Sequence, residues 1–170
     1  MGIKEEIRMF FRDKKRGNNL IFKTPYEEDV DYGDMIVSDK DDHGLVGWRP
    51  LEVDSGIGKG KIQGILGVSI HKDIVEYLNA YWFIYLEGKY GDYEVSLDSV
   101  TPDYEGYLQY IKESIESSTE EQIKIPIGVE LNRGLILVDN NTGGVVVSDF
   151  DEGTETEIAE SIESFIGGIK

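Results

Sequence analysis

The chain contains no cysteine, two histidines and four prolines among its 170 residues. Without cysteine it has no disulfide framework, no thiolate nucleophile and no cysteine-ligated zinc site, and a reducing compartment fits. No apolar run approaches the roughly 18 residues of a membrane span. The N-terminal residues lack the apolar core of a signal peptide. These absences predict a soluble, cytoplasmic protein. Its length of 170 residues and its 39% hydrophobic content predict that residues 1–170 form one domain.

Negative charge is the strongest feature that the composition does show. The formal net charge is -17, with 34 acidic and 17 basic side chains. Residues 1–25 hold seven basic and three acidic side chains, so they are net positive and the acid is concentrated in the rest of the chain. A body that acidic repels phosphate backbones, which argues against nucleic acid and favours a basic protein partner. The alternative is that the charge serves solubility alone.

Hydrophobic periodicity predicts four helices. They are residues 3–16, 69–80, 102–117 and 154–169, with Ser69 and Thr154 as caps. The first helix belongs to an N-terminal amphipathic segment, 1–17, which we expect to pack on the body. Its basic charges also permit a second interpretation, an anchor at an anionic membrane surface.

Strand signals occupy most of the remaining sequence. Short strands are predicted at 34–38 and 47–53, and a hairpin is predicted from 81–87 and 93–100 around a turn at 88–91. Three apolar runs at 123–131, 134–138 and 145–150 predict an antiparallel meander. Glycine-rich residues 54–64 are expected to be a flexible loop. The fold class is therefore α+β, with a mostly antiparallel sheet of about five to six strands and helices packed against it.

The search for catalytic or ligand-binding motifs finds little. Residues 54–64 lack the Ser or Thr that a phosphate-binding loop requires after Gly-Lys. The acids around His43 do not follow the calcium-loop pattern. A pair formed by His71 and Asp73 leaves a small hydrolase as a remote alternative, although no nucleophile elbow is present. The sequence predicts no enzyme activity, no cofactor and no dedicated metal site.

Acidic side chains near aromatic ones point instead to a binding surface for Lys- and Arg-rich protein segments, through ion pairs and cation–π contacts. The predicted partner-binding residues are Asp34, Asp39, Asp41, Asp42, Trp48, Asp73, Glu76, Asp92, Tyr93 and Glu94. Core packing is the alternative for Trp48 and Tyr93.

Several short islands together resemble one family. They are Tyr32-Gly33-Asp34, Trp48-Arg49-Pro50, His71-Lys72-Asp73-Ile74, Tyr81-Trp82-Phe83, Gly128-Val129-Glu130, Asn132-Arg133-Gly134 and Asn141-Thr142-Gly143. Their order and spacing resemble those found in the Syd proteins, a branch of the SUKH superfamily (the Smi1/Knr4-like group). The similarity extends over nearly all of the chain after residue 20.

The resemblance implies an α+β fold without catalytic activity. It implies a cytoplasmic protein that docks on the basic cytoplasmic loops of SecY, the translocon channel, and reaches the cytoplasmic face of the membrane through that partner. SUKH immunity proteins, which neutralise polymorphic toxins, supply the alternative of a basic toxin as the partner. Either partner would engage an acidic, concave face.

Overall fold

The computed structural model describes residues 1–14, 21–119 and 121–170. In that part of the chain there are five α-helices: α1 (Ile3–Lys14), α2 (Lys59–Leu66), α3 (Lys72–Leu78), α4 (Tyr104–Ser117) and α5 (Ile162–Gly168). The first six strands are β1 (Phe22–Pro25), β2 (Leu45–Trp48), β3 (Leu51–Glu52), β4 (Tyr81–Trp82), β5 (Leu86–Tyr90) and β6 (Tyr93–Leu97). The other four are β7 (Lys124–Glu130), β8 (Gly134–Asp139), β9 (Val145–Asp149) and β10 (Thr154–Ala159).

The main sheet has six antiparallel strands in the order β10-β9-β8-β7-β6-β5. Each strand is paired with its neighbour in the chain, so the sheet is a meander with α4 inserted between β6 and β7. Two small sheets, β1-β2 and β3-β4, complete the architecture. The α+β prediction and the predicted strand number are therefore confirmed.

The hydrophobic core lies between the helices and one face of this curled sheet. Because side chains alternate along a strand, one set from each of the strands β6, β7, β8 and β9 enters the core. Ile136 and Val138 of β8 and Val145 and Val147 of β9 are all 0–2% exposed and belong to the main buried cluster. The helices contribute their apolar stripes to the same cluster.

Helix α1 packs on the body, as one of the two interpretations predicted. Its apolar side chains Ile3, Ile7, Phe10 and Phe11 are all buried in the main cluster. The membrane-anchor interpretation is wrong for this conformation, because the apolar stripe that would enter lipid is already covered. The predicted end of the helix near residue 17 lies outside the described residues.

Two predicted elements, at 154–169 and 54–64, are wrong because each segment contains two kinds of structure rather than one. Residues 154–169 are a strand followed by helix α5, and the helix cap is Ser161 rather than Thr154. Alternating Thr and Glu side chains in β10 have the period of a strand. Conversely, residues 54–64 are not all loop, since Ile62 and Leu66 are one helical turn apart and bury one side of α2.

Two predicted strands in the middle of the chain are also revised. Residues 81–87 divide between sheets, because Tyr81–Trp82 pairs with β3 and the chain then crosses to the main sheet at Leu86. The following turn is at Gly91, whose φ of 57° places it in the left-handed region that glycine tolerates. Residues 34–38 contain a 3-10 turn (Gly33–Met35), and only Ile36 forms a bridge, with Trp48.

The strand predicted at 47–53 is two strands, β2 and β3, and the helix predicted at 69–80 begins later than expected. Pro50 separates β2 from β3, as expected of a residue that lacks an N–H donor. Helix α3 begins at Lys72, and its cap is His71 rather than Ser69. The His71 Nδ1 atom accepts a hydrogen bond from the backbone N–H of Asp73 at 3.3 Å.

One fully buried and one half-buried tyrosine allow a test of polar packing in the core. The Tyr77 hydroxyl is fully buried and has no hydrogen-bond partner among the described residues, whereas the Tyr107 hydroxyl donates to the Pro126 carbonyl at 3.2 Å. We expect Tyr77→Phe to leave the free energy of unfolding unchanged or to raise it by about 1 kcal/mol, since it removes an unsatisfied group. Tyr107→Phe should lower it by about 1 kcal/mol. Urea denaturation measures both, and equal losses would show that Tyr77 has a partner.

Candidate functional site: the outer face of the sheet

The second face of the main sheet is the candidate site, and we call it the outer face. Its positions alternate with the core positions and are Glu87, Lys89, Glu94, Ser96, Lys124, Pro126, Val129, Leu135, Leu137, Asp139, Val146, Ser148, Glu155 and Glu157. Leu135, Leu137 and Val146 lie outside the main buried cluster. The middle of the outer face is therefore apolar, and carboxylates stand on the strands to either side.

An ion pair shows that the outer face is concave. Lys124 of β7 pairs with Glu155 of β10, three strands away. The registers place their rows four residues apart, so a flat sheet would hold their Cα atoms about 20 Å apart. Extended Lys and Glu side chains joined by one ion pair span roughly 14 Å. The two strands must therefore curl towards each other across the intervening β8 and β9.

The β10 side of this hollow is strongly acidic. Residues 134–169 contain no Lys or Arg. Their acidic residues are Asp139, Asp149, Asp151, Glu152, Glu155, Glu157, Glu160 and Glu163. Thr154, Glu155, Thr156 and Glu157 are exposed on the edge strand. Because this segment supplies no cation of its own, the exposed Glu155 and Glu157 give this edge a negative potential.

The turn between β9 and β10 positions this acidic edge. The Asp149 Oδ1 atom accepts hydrogen bonds from the backbone N–H groups of Asp151 and Glu152, at 2.9 and 3.0 Å. Gly153 follows with a φ of 65° and completes the reversal. The turn leaves Phe150 67% exposed, with its ring beside Gly134 at the start of β8. An exposed aromatic ring beside the carboxylates adds apolar contact area to the acidic edge.

The neighbouring turn at the same end of the sheet, between β7 and β8, is fixed by a buried carboxylate. Glu130 is 2% exposed, and it accepts hydrogen bonds from the backbone N–H groups of Glu94 and Asn132, both at 3.0 Å. It also pairs with Arg133 at 3.3 Å. The Arg133 guanidinium in turn lies 4.8 Å from the centre of the Tyr93 ring. This cluster is satisfied internally, so its residues hold β6, β7 and β8 in place.

The predicted partner-binding acids fall into three groups, which no hydrogen bond or ion pair connects within the described residues. Asp34, Asp39, Asp41 and Asp42 lie between β1 and β2, Asp73 and Glu76 lie on α3, and Asp92 to Glu94 lie in the β5–β6 hairpin. Of the ten predicted residues, Glu94 belongs to the outer face. The sequence-based set thus overlaps the candidate site at one position.

Several of these residues stabilise the fold. Asp41 pairs with Lys23 at 2.8 Å and accepts the backbone N–H groups of His43 and Leu45; the bond from Lys23 is the main reason that the pKa of Asp41 is lowered. Glu76 accepts the N–H of Ile3 at 2.9 Å and so holds the start of α1. Asp34, Asp39, Asp42 and Asp92 remain exposed.

Trp48 was predicted to bind the partner, and this prediction is wrong. Its side chain is 0% exposed, and the ring stacks on Phe22 with the centroids 4.9 Å apart. Tyr85 and Phe11 meet it edge-on, at 5.0 and 6.3 Å. Trp48 is therefore the centre of an aromatic cluster that joins the β1-β2 sheet to α1, which was the alternative that the sequence left open.

The residues considered for hydrolysis have structural roles. His71 caps α3, and its ring packs on Gly143, where a Cβ atom would lie 2.6 Å from the His71 Cε1 atom. An open cleft of about 700 Å³ between α1 and α5 is lined by Glu6, Glu163 and Ser164, among others. Ser164 and Ser161 form the reciprocal capping box of α5. The hydrolase alternative gains no support from these contacts.

The described residues contain neither a metal-binding cluster nor a membrane-spanning helix. No group of three or more His, Asp or Glu side chains is arranged to hold a metal ion within the described ranges. No helix in that part of the chain is both long enough and apolar enough to cross a membrane. Comparison with known proteins gives no matching family model and no matching curated protein.

Asp98, which follows β6, is the acidic residue whose environment most opposes its charge. Burial raises the pKa of Asp98, and no described residue donates a hydrogen bond to its carboxylate or forms an ion pair with it. A carboxyl group whose pKa is higher in the folded state than in the unfolded state stabilises the fold only while it is protonated. Asp98 therefore costs stability once the pH rises through its folded-state pKa.

We expect Asp98→Asn to be more stable than the unmodified chain at pH 7 and equally stable near pH 3. At the lower pH the Asp98 carboxyl is protonated in both states, since the unfolded pKa is about 3.9. Thermal unfolding at both pH values measures the difference. Asp92→Asn, in the exposed turn of the β5–β6 hairpin, removes the same charge and is the control. A stabilisation by Asp98→Asn that is independent of pH would contradict this account.

Proposed function

We propose that this chain is a non-enzymatic docking protein whose outer face binds a basic segment of another protein. The observation that carries the proposal is the combination in one hollow of an apolar floor, Leu135, Leu137 and Val146, and a rim of carboxylates that includes Glu155 and Glu157. Apolar contact supplies affinity, and opposite charge supplies attraction and orientation. A Lys- or Arg-rich segment with interspersed apolar residues is complementary to such a surface.

The resemblance to the Syd proteins points to SecY as the specific partner. In this proposal, the outer face docks on the basic cytoplasmic loops of SecY, and the protein reaches the cytoplasmic face of the membrane through that partner. The net charge of -17 favours a cationic partner and disfavours both nucleic acid and a second copy of the same chain. In this proposal the expected contact residues lie on the outer face rather than among the loop acids.

A pair of charge-reversal variants tests the proposal. We expect the unmodified chain to bind SecY reconstituted in lipid nanodiscs, and Glu155→Lys with Glu157→Lys to weaken that binding at least about tenfold. Asp39→Lys with Asp42→Lys makes the same change of net charge on the exposed loop before β2 and is the matched control. Biolayer interferometry at several salt concentrations measures both, and the affinity should fall as the Debye length shrinks to about 8 Å at 0.15 M salt.

The other outcomes are informative in different ways. Equal losses in the two variants would show that net charge, rather than the outer face, determines binding. Tight binding that does not depend on salt would point to an apolar interface. No binding to SecY, combined with binding to a basic toxin, would replace the translocon with the immunity function and keep the outer face as the site.

A further inference from the structure

The outer face carries two basic side chains at its described positions, and they differ in their surroundings. Lys89 on edge strand β5 is 69% exposed and lies 3.5 Å from Glu94 on the next strand. Lys124 is 12% exposed and pairs across the hollow with Glu155. One lysine therefore stands at the margin of the outer face, and the other lies inside it.

The position of Lys124 is the one that a bound basic side chain would take. The path from β7 to Glu155 crosses β8 and β9, where Leu137 and Val146 are paired on the outer face. Val146 is only 8% exposed although it lies outside the main buried cluster. A lysine covers apolar neighbours with its methylene groups while its ammonium group reaches a carboxylate. Lys124 is thus placed to make the two kinds of contact that the proposed partner would make.

We propose that Lys124 is an internal competitor for the partner's cation at Glu155. This inference rests on the proposed function and adds a regulation of the same site. An incoming Lys or Arg must displace the Lys124 ammonium group before it can pair with Glu155. The exchange replaces the Lys124–Glu155 ion pair by an ion pair between Glu155 and the partner. A partner that brings a single cation therefore gains little binding free energy. A partner binds well when it also brings an apolar side chain for the Leu137 and Val146 floor.

The competitor defines which partner is preferred. An arginine can form two parallel hydrogen bonds with one carboxylate, whereas a lysine offers a point charge. Arginine therefore displaces Lys124 more effectively than lysine does. The preferred segment has an arginine next to a branched apolar residue, and segments with isolated lysines are rejected. The internal pair raises specificity at the expense of affinity.

Two substitutions that break the same ion pair should have opposite effects on binding. The probe is a fluorescent nine-residue peptide of alternating arginine and leucine, measured by anisotropy at 0.15 M salt. Lys124→Met keeps the apolar stem and removes the competitor, so we expect binding about fivefold tighter. Glu155→Gln removes the shared carboxylate, so we expect binding about fivefold weaker. Lys112→Met, on α4 beside Glu116, makes the same change of net charge and should alter binding less than twofold.

A third substitution keeps the test valid if loss of the ion pair impairs folding. Lys124→Arg retains the charge and strengthens the internal pair, so the peptide should bind more weakly than it binds the unmodified chain. Circular dichroism confirms that each variant is folded. Unchanged or weaker binding by folded Lys124→Met would overturn the inference, and so would tighter binding by Lys124→Arg.

The failures of the two proposals can be told apart. If the unmodified chain binds neither the peptide nor reconstituted SecY, the proposed function is wrong and the competitor has nothing to regulate. If the unmodified chain binds, and Glu155→Gln weakens that binding while Lys124→Met does not strengthen it, the outer face is the site and Lys124 is not a competitor.

Discussion

The alternation of side chains across the six-stranded sheet is the constraint on which the rest of the structure depends. Strands β7, β8 and β9 send Ile and Val side chains into the core, where each contributes about 1.5–3 kcal/mol through burial. The same alternation sends Leu135, Leu137 and Val146 to the outer face. The core therefore determines what the proposed binding surface contains, since a slip of one residue in register would exchange the two faces.

Curvature is what makes this second face a candidate site. Twisted sheets are concave along one diagonal, and the Lys124–Glu155 pair follows such a diagonal from β7 to β10. A concave face brings charges from distant strands close together, so a small partner segment can contact several of them at once. The turn clusters around Glu130 and Asp149 hold the strand ends, and the carboxylates consequently do not depend on flexible loops for their placement.

The sequence predicted the sheet well because its strongest signals were local. Apolar runs separated by Asn- and Gly-containing turns gave β7, β8 and β9 nearly to the residue. The site was predicted poorly because it depends on long-range pairing. Interpreting residues 154–169 as one helix removed Glu155 and Glu157 from the sheet, and only the pairing of β10 with β9 places them beside Val146. The visible acidic cluster at 34–42 attracted the prediction instead. The alternation within 123–150 could have identified the apolar floor, but no local signal pairs Lys124 with Glu155.

Strong negative charge makes the carboxylates of the hollow repel one another, and the Lys124–Glu155 ion pair reduces that repulsion. Carboxylates gathered in a hollow repel one another and would attract any cation that the solution offers. An internal lysine lowers that repulsion in the unbound state, and it withdraws one carboxylate from non-specific pairing. Because the lysine is tethered, its local concentration is high, and weak cationic ligands are at a disadvantage against it. A surface of this kind can be acidic enough to recruit a basic protein and still discriminate among the many basic segments that it meets.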